Sequence, residues 1–341
     1  MAVQESSDLE SFAQNQVQSD QDHLPLVLVH RLPSFDIPLT PLLQSHFIVL
    51  DPHHSSHSPP NSFLYSQAQS VRALVVYGPC PLTADTIRLL PSLELVVATS
   101  AGVDHIDVSE CRLRGITVTN AGDAFSEDVA DYAVALLVGV LRRLTAADRY
   151  VRSGLWRLNV EYPLGSKIGG KRVGIVGLGR IGSEVAKRLM AFGCSIAYNS
   201  RKKKPSVPYP YFANVYDLAT NSDVLVVCCA LTSATHHIIS REVMKALGKE
   251  GVLINVGRGA LVDEKELFQF LTRGEIGGAG LDVFENEPDV PRELFTLDNV
   301  VLSPHKAVLT PESLESVFQL VLANLKAFFS NKPLMSVVHQ E

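Results

Sequence analysis

The chain is poor in cysteine, tryptophan and uninterrupted apolar sequence, and each shortage excludes something. Five cysteines in 341 residues (Cys80, Cys111, Cys194, Cys228 and Cys229) make an odd number without CxxC spacing, which argues against a disulfide framework. Two of them lie in the apolar run "VLVVCCA", a setting for buried thiols in a reducing compartment. The longest apolar stretch, "AVALLVGVL" from Ala133, falls far short of the ~20 residues of a membrane helix. A formal net charge of -6 leaves no general attraction for nucleic acid or an anionic membrane. Residues 1–23 have neither the apolar core of a secretory signal nor the arginines of a transit peptide, so a mobile tail and a cytoplasmic location are expected. "DPHHSSHSPPNS" holds three histidines, but its proline and serine content reads as an exposed turn, and no metal is expected. Trp156, the single tryptophan, is expected to pack at a domain junction.

What remains is an ordinary globular composition, 46% hydrophobic and 19% charged, in a chain long enough for two domains. Short β-rich runs alternate with helical patterns, which predicts an α/β fold with parallel sheets covered by helices. One series of strands is "LPLVLVH", "FIVL", "ALVVYG", "LELVVATS" and "ITVTN". A second runs "VGIVG", "SIAYNS", "VLVVCC", "GVLINVG", "AGLDVF" and "VVLSPH". Between them a long helix is expected over 126–151, with Ser126 as its cap and acids in its first turn. Its apolar positions are too many for one stripe, which points to cover on more than one side, a second subunit included. A last helix is expected after Thr310 as cap and Pro311 at the first position.

"VGIVGLGRIG" follows a strand and opens a helix, placing Gly177, Leu178, Gly179, Arg180, Ile181 and Gly182 in the G-x-G-x-x-G pattern of a dinucleotide site. The first glycine permits the tight turn, the second lets main chain approach a pyrophosphate, and the third lets the helix sit close on the sheet. About twenty residues further on, an acid normally holds the ribose hydroxyls of NAD. Here the strand ends "SIAYNSRKKKP", with Asn199 in the acid's place. No carboxylate repels a 2′-phosphate, and Ser200, Arg201 and Lys202 can bind one through charge-assisted hydrogen bonds of ~1.5–3 kcal/mol each. The expected cofactor is NADP(H).

In open α/β sheets ligands bind beyond the carboxyl ends of strands. At three such ends stand Arg258 in "INVGRG", Glu287 in "DVFENEP" and His305 in "VVLSPH". An Arg, a Glu and a His at one edge can bind a carboxylate, orient an imidazole and transfer a proton. A carboxylate beside the imidazole favours its protonated form, and Pro288 restricts the backbone of Glu287.

Together, "VGIVGLGRIG", "CCALTSATHHII", "INVGRGALVDE", "GGAGLDVFENEP" and "NVVLSPH" resemble the D-isomer-specific 2-hydroxyacid dehydrogenases, especially the plant glyoxylate/hydroxypyruvate and hydroxyphenylpyruvate reductase branch. The resemblance implies two Rossmann-like or flavodoxin-like domains. The substrate domain would take 24–120 plus 306–341, and an inserted NADP-binding domain 121–305, with the helix over 126–151 joining a homodimer. It implies that Arg258 binds the substrate's carboxylate and carbonyl, that His305 is the general acid and that Glu287 is its partner. In "TSAGVDHID" the amides of Ala101 and Gly102 would receive the carboxylate, and Val256 and Asp282 match positions that line the nicotinamide. The implied activity is NADPH-dependent reduction of glyoxylate or hydroxypyruvate. Hydroxyphenylpyruvate is the alternative substrate, and a nucleotide-sensing corepressor-like binding protein the distant one. The chain departs from the family in "KAVL", Lys306 to Leu309, where small, glycine-containing sequence is usual and bulk can alter the pocket floor, and at Ala230 and Ala101, which leave the size of the substrate open.

Overall fold

The computed structural model describes residues 24–34, 38–53, 68–158 and 161–338; the tail over 1–23 and most of the histidine-containing turn lie outside them. The chain forms two compact units, one from the residues up to Ala124 together with Leu314 onward, the other Phe125–Ser313.

The first unit holds β1 (Leu26–His30), β2 (Ile48–Leu50), β3 (Ala73–Val76), β4 (Leu95–Ala98) and β5 (Thr117–Thr119) in the order β2-β1-β3-β4-β5. Every pairing is parallel. β3 and β4 are buried at every residue, as unbroken apolar runs must be when helices cover both faces of a sheet. Polar side chains set where the short helices begin. Thr83 caps Ala84–Arg88 by accepting from the Thr86 amide, and Asp107 caps Val108–Leu113 by accepting from the Glu110 amide. The last helix, Pro311–Phe329, starts as anticipated, with the Ser313 amide donating to Thr310 Oγ1 at 3.0 Å.

The second unit holds β6 (Arg172–Val176), β7 (Ser195–Asn199), β8 (Tyr211–Phe212), β9 (Val224–Val227), β10 (Val252–Asn255), β11 (Gly278–Leu281) and β12 (Val300–Leu302). Their order is β12-β11-β10-β9-β6-β7-β8, again all parallel. The direction of winding reverses between β6 and β9, which leaves a crevice at the carboxyl ends of those two strands. Every anticipated strand is present. The unanticipated β8 is a two-residue edge, too short to carry a periodic pattern.

The long helix expected over 126–151 is two helices, Ser126–Leu141 and Leu144–Arg152, broken where Arg143 takes a left-handed φ of 53°. Tyr162 donates to the Arg143 carbonyl at 2.8 Å and so bonds to the chain at the break. Ser126 is not the cap. It is the first helical residue, buried, and Phe125 precedes it without a capping side chain. Much of the apolar surface of Ser126–Leu141 is covered within its own unit, while Val134 and Val138 stay partly exposed and Ala135 exposed. The helix packs on β10, β11 and β12 and against the helix Arg180–Ala191 of its own unit. The sequence "GAGL" of β11 makes that fit possible, because a Cβ on Gly280 would lie 3.0 Å from Leu136 Cβ and one on Gly278 2.7 Å from a Val140 methyl. Each such side chain fully buried contributes ~1.5–3 kcal/mol.

Exposed apolar residues cluster instead just beyond the break. Leu144, Val151, Leu158 and Leu164 are all more than half exposed, and Trp156, expected at a packed junction, is 68% exposed in the single chain.

Candidate active site

At the end of β6 the chain turns sharply, with Gly177 at φ 97° and its amide donating to the Asn199 carbonyl at 2.9 Å. A Cβ there would fall 2.5 Å from the Cys229 nitrogen, so only glycine fits between the ends of β6 and β9. Gly182 is packed as tightly, since its Cβ would meet the Gly177 carbonyl oxygen at 2.3 Å. Gly179 is the contrast, because a Cβ added to it would have no atom within 4 Å. That open space lies at the start of the helix Arg180–Ala191, which has no capping side chain. Its first amides and positive dipole end therefore suit a pyrophosphate. Leu178 is buried, so it can offer a ligand only main chain, while Arg180 is exposed and Ile181 partly so. Burial pushes the Cys229 thiol up to about 11, which keeps the sulfur beside this loop neutral.

The structure gives Asn199 a role that the sequence does not suggest. Its Nδ2 donates to the Phe212 carbonyl at 2.9 Å and ties β7 to the edge strand. Ser200 Oγ donates to the Lys202 carbonyl at 2.7 Å, folding the basic turn on itself. Arg201 and Lys202 are exposed on that turn, next in sequence to the strand end that receives the Gly177 amide.

Three more strand ends of the same sheet carry Arg258, Glu287 and His305. Gly259 allows the Arg258 turn to press on the main chain after β11, since its Cβ would fall 1.8 Å from the Phe284 carbonyl carbon. His305 Nδ1 and Glu287 Oε2 are 2.7 Å apart, and Glu287 Oε1 accepts from the Phe284 amide at 3.0 Å. Burial alone would raise the Glu287 pKa. The bonds from His305 and Phe284, with the positive charges of His305 and Arg258, outweigh it and hold the carboxyl below its ordinary range. His305 is therefore tied through Nδ1 to an ionised carboxylate, which leaves Nε2 as the nitrogen that can exchange a proton with a ligand. Val256 is 8% exposed at the end of β10, with its amide donating to the Val227 carbonyl. Asp282 is 1% exposed, and both its carboxylate oxygens are engaged by the segment around His305.

In the other unit, Ser100 Oγ donates to the Gly102 carbonyl and Asn120 Nδ2 to the Ala101 carbonyl, each at 2.8 Å. With both carbonyls bound by donors, the turn at Ala101 and Gly102 presents less negative charge to an anion.

Comparisons with known proteins place the chain in a family. The model of the D-isomer specific 2-hydroxyacid dehydrogenase NAD-binding domain matches residues 134–307. The chain belongs to the D-isomer specific 2-hydroxyacid dehydrogenase family. Within that family it is 60% identical over 314 residues to a glyoxylate/hydroxypyruvate reductase of Arabidopsis thaliana, covering 92% of this chain and 97% of the relative. It is 51% identical over 276 residues to the hydroxyphenylpyruvate reductase of Plectranthus scutellarioides, covering 81% and 88%. An NADPH-dependent glyoxylate/hydroxypyruvate reductase of Sinorhizobium meliloti, solved with NADP and malonate, superposes with a TM-score of 0.84 at 37% identity, covering 92% and 96%.

Sequence reasoning missed residues that shape the turns around the candidate residues within each unit. Ser100 and Asn120 fix the carbonyls of the 101–102 turn, and Tyr132 and Ser303 bond to each other across 171 positions of chain. Ser100 lies inside "TSAG" and Ser303 inside "VVLSPH", but neither motif singles out its serine. Among the described residues, His236, His237 and Glu285 bring three possible ligand atoms within 4.8 Å of one another. There His237 already bonds Glu285 and stacks on His236. No helix among the described residues is long and apolar enough to cross a membrane.

Proposed function

We propose that this protein is an NADPH-dependent reductase of small 2-oxoacids, taking glyoxylate to glycolate and hydroxypyruvate to D-glycerate. The observation that carries the reading is the joining of His305 to an ionised Glu287, with Arg258 close enough for its charge to bear on that carboxylate. Gly177 to Gly182 hold the pyrophosphate, Ser200, Arg201 and Lys202 receive the 2′-phosphate, and Val256 and Asp282 border the nicotinamide. When bound, the reduced nicotinamide supplies the hydride that the substrate's carbonyl carbon accepts. Arg258 binds the carboxylate and polarises the carbonyl oxygen, with the amides of Ala101 and Gly102 assigned to the carboxylate as well. His305 gives that oxygen a proton from Nε2, and Glu287 stabilises the charge on the ring before transfer. In this reading 121–305 is the coenzyme domain, and 24–120 with 306–341 the substrate domain.

The protein is proposed to act in the cytoplasm as a homodimer. The exposed apolar residues Leu144, Val151, Trp156, Leu158 and Leu164 support a subunit contact beyond the helix break. The Plectranthus relative keeps hydroxyphenylpyruvate as a second candidate substrate. Initial rates with NADPH against glyoxylate, hydroxypyruvate, hydroxyphenylpyruvate and pyruvate test the proposal. Preference for the first two supports it. Preference for the aromatic acid moves the protein to the second candidate, and no turnover of any of the four overturns the reading.

A further inference from the structure

His305 has a backbone that histidine does not readily adopt, with φ at 53° in the left-handed region. Something must hold it there. Its own amide donates to the Asp282 carbonyl at 2.7 Å, while the Lys306 amide donates to Asp282 Oδ1 at 2.9 Å and the Ala307 amide to Oδ2 at 3.1 Å. Asp282, at the end of β11, thus binds three successive amides of the histidine segment through its main chain and side chain. Its carboxylate is buried with no cation bonded to it among the described residues, so its charge rests on hydrogen-bond donors.

The remaining donor is Ser303, whose Oγ lies 2.6 Å from Asp282 Oδ1 and 2.7 Å from the Tyr132 hydroxyl. The direction of these bonds follows from proton counting. A carboxylate only accepts, so Ser303 must spend its single proton on Asp282, and Tyr132 must therefore donate to Ser303. Tyr132 sits on the helix Ser126–Leu141, which packs on β10, β11 and β12. Its hydroxyl links that helix to the carboxylate that clamps the histidine segment.

We propose that Tyr132 is a positioning residue for His305, acting through Ser303 and Asp282. Without the Tyr132 donor, Ser303 Oγ loses the bond that fixes its rotamer, its bond to Asp282 Oδ1 loosens, and the carboxylate is held less firmly over the amides it accepts from. The imidazole would keep Glu287 but lose its fixed approach to the substrate's oxygen, and proton delivery is sensitive to displacements of about 1 Å. The inference rests on the role proposed above for His305, so its test reads the loop directly as well as through turnover.

The experiment compares Tyr132→Phe, Ser303→Ala, Ser303→Thr and the Tyr132→Phe/Ser303→Ala double variant in the full-length protein. Hydrogen exchange of the peptide containing His305 to Ala307 is followed by mass spectrometry, beside kcat, KM and the solvent deuterium isotope effect with glyoxylate and NADPH. Exchange of those amides should rise several-fold in Tyr132→Phe and Ser303→Ala and stay near the parent rate in Ser303→Thr, which keeps the hydroxyl. The kcat should fall about three- to tenfold with KM changed less than twofold, the isotope effect should rise, and the double variant should be no worse than the poorer single one. Faster exchange in Tyr132→Phe and Ser303→Ala, with a parent that turns over no 2-oxoacid, would support the relay and reject the function. Unchanged exchange in Tyr132→Phe, or losses that simply multiply in the double variant, would overturn the relay while leaving the function standing.

Discussion

The glycine loop after β6 and the histidine segment after β12 leave the same sheet at the same edge, but opposite means hold them. The glycine loop owes its shape to missing side chains. Gly177 and Gly182 are glycine because a Cβ would strike Cys229 or the loop's own carbonyl, and the open space is at Gly179. What the loop offers a ligand is main chain and a helix dipole. The histidine segment owes its shape to side chains present, with Asp282 and Glu287 bonded to its main chain and its imidazole. In the proposed function one binds the nucleotide and the other transfers the proton, so damage to one should leave the other's role intact.

The largest expected effect comes from breaking the chemical side. His305→Ala and Arg258→Ala should each lower kcat by about 10²- to 10⁴-fold, the range for loss of a positioned acid or an electrostatic clamp. NADPH binding, measured by nucleotide fluorescence, should stay within about twofold of the parent by the same reasoning, because neither side chain belongs to the glycine loop. Weakened NADPH binding in either variant would mean that the two regions are not separable.

Breaking the binding side should give the reverse. Gly179→Ala adds a methyl that touches no protein atom, so its thermal midpoint should match the parent. The methyl enters the space where phosphate is proposed to lie, and NADPH should bind at least about tenfold more weakly. Gly177→Ala should instead lose stability, by ~1–3 kcal/mol from its φ alone, with more from the clash at Cys229. A stable Gly177→Ala protein with normal NADPH affinity would contradict the account of the turn.

A smaller effect tests the ion pair. The folded pKa of Glu287 lies below its ordinary value of 4.5. For a carboxyl so depressed, the stability it contributes is complete above the unfolded value and is lost as pH falls through the lower, folded value. Glu287→Gln should therefore melt a few degrees below the parent at pH 7, and the two melting curves should converge as the solution is acidified below pH 4.5. A difference that persists or widens in acid would mean that Glu287 is held by something other than its charge.

The same contrast explains what the sequence made legible. The strands and the glycine loop are local patterns, so "VGIVGLGRIG" carries its own strand, turn and helix start within ten residues. Arg258, Glu287 and His305 were visible because each directly follows an apolar run. The bonding of Tyr132 to Ser303 and Asp282 had no such signal: Asp282 and Ser303 lie in recognised motifs, but their link to Tyr132 joins elements far apart in the sequence. The helix over 126–151 misled for a related reason. Nothing in "VLRRLTAAD" betrays a left-handed Arg143, and part of the cover for the helix's apolar surface comes from β11, nearly 140 residues away in the chain. Asn199 stands in the sequence where an acid is usual, but its bond to Phe212 depends on an edge strand too short to foresee.

The central claim is that this edge of the sheet binds NADPH through the basic turn and uses it on a small 2-oxoacid. Its most direct test is the apparent kcat/KM for NADPH and for NADH, at saturating hydroxypyruvate, in the parent and in Arg201→Ala. The parent should favour NADPH at least about tenfold, and Arg201→Ala should lose about ten- to a hundredfold with NADPH while NADH hardly changes. Equal use of the two coenzymes by the parent, or an equal loss of both in Arg201→Ala, would contradict the account and leave "SRKKK" as a solvated turn.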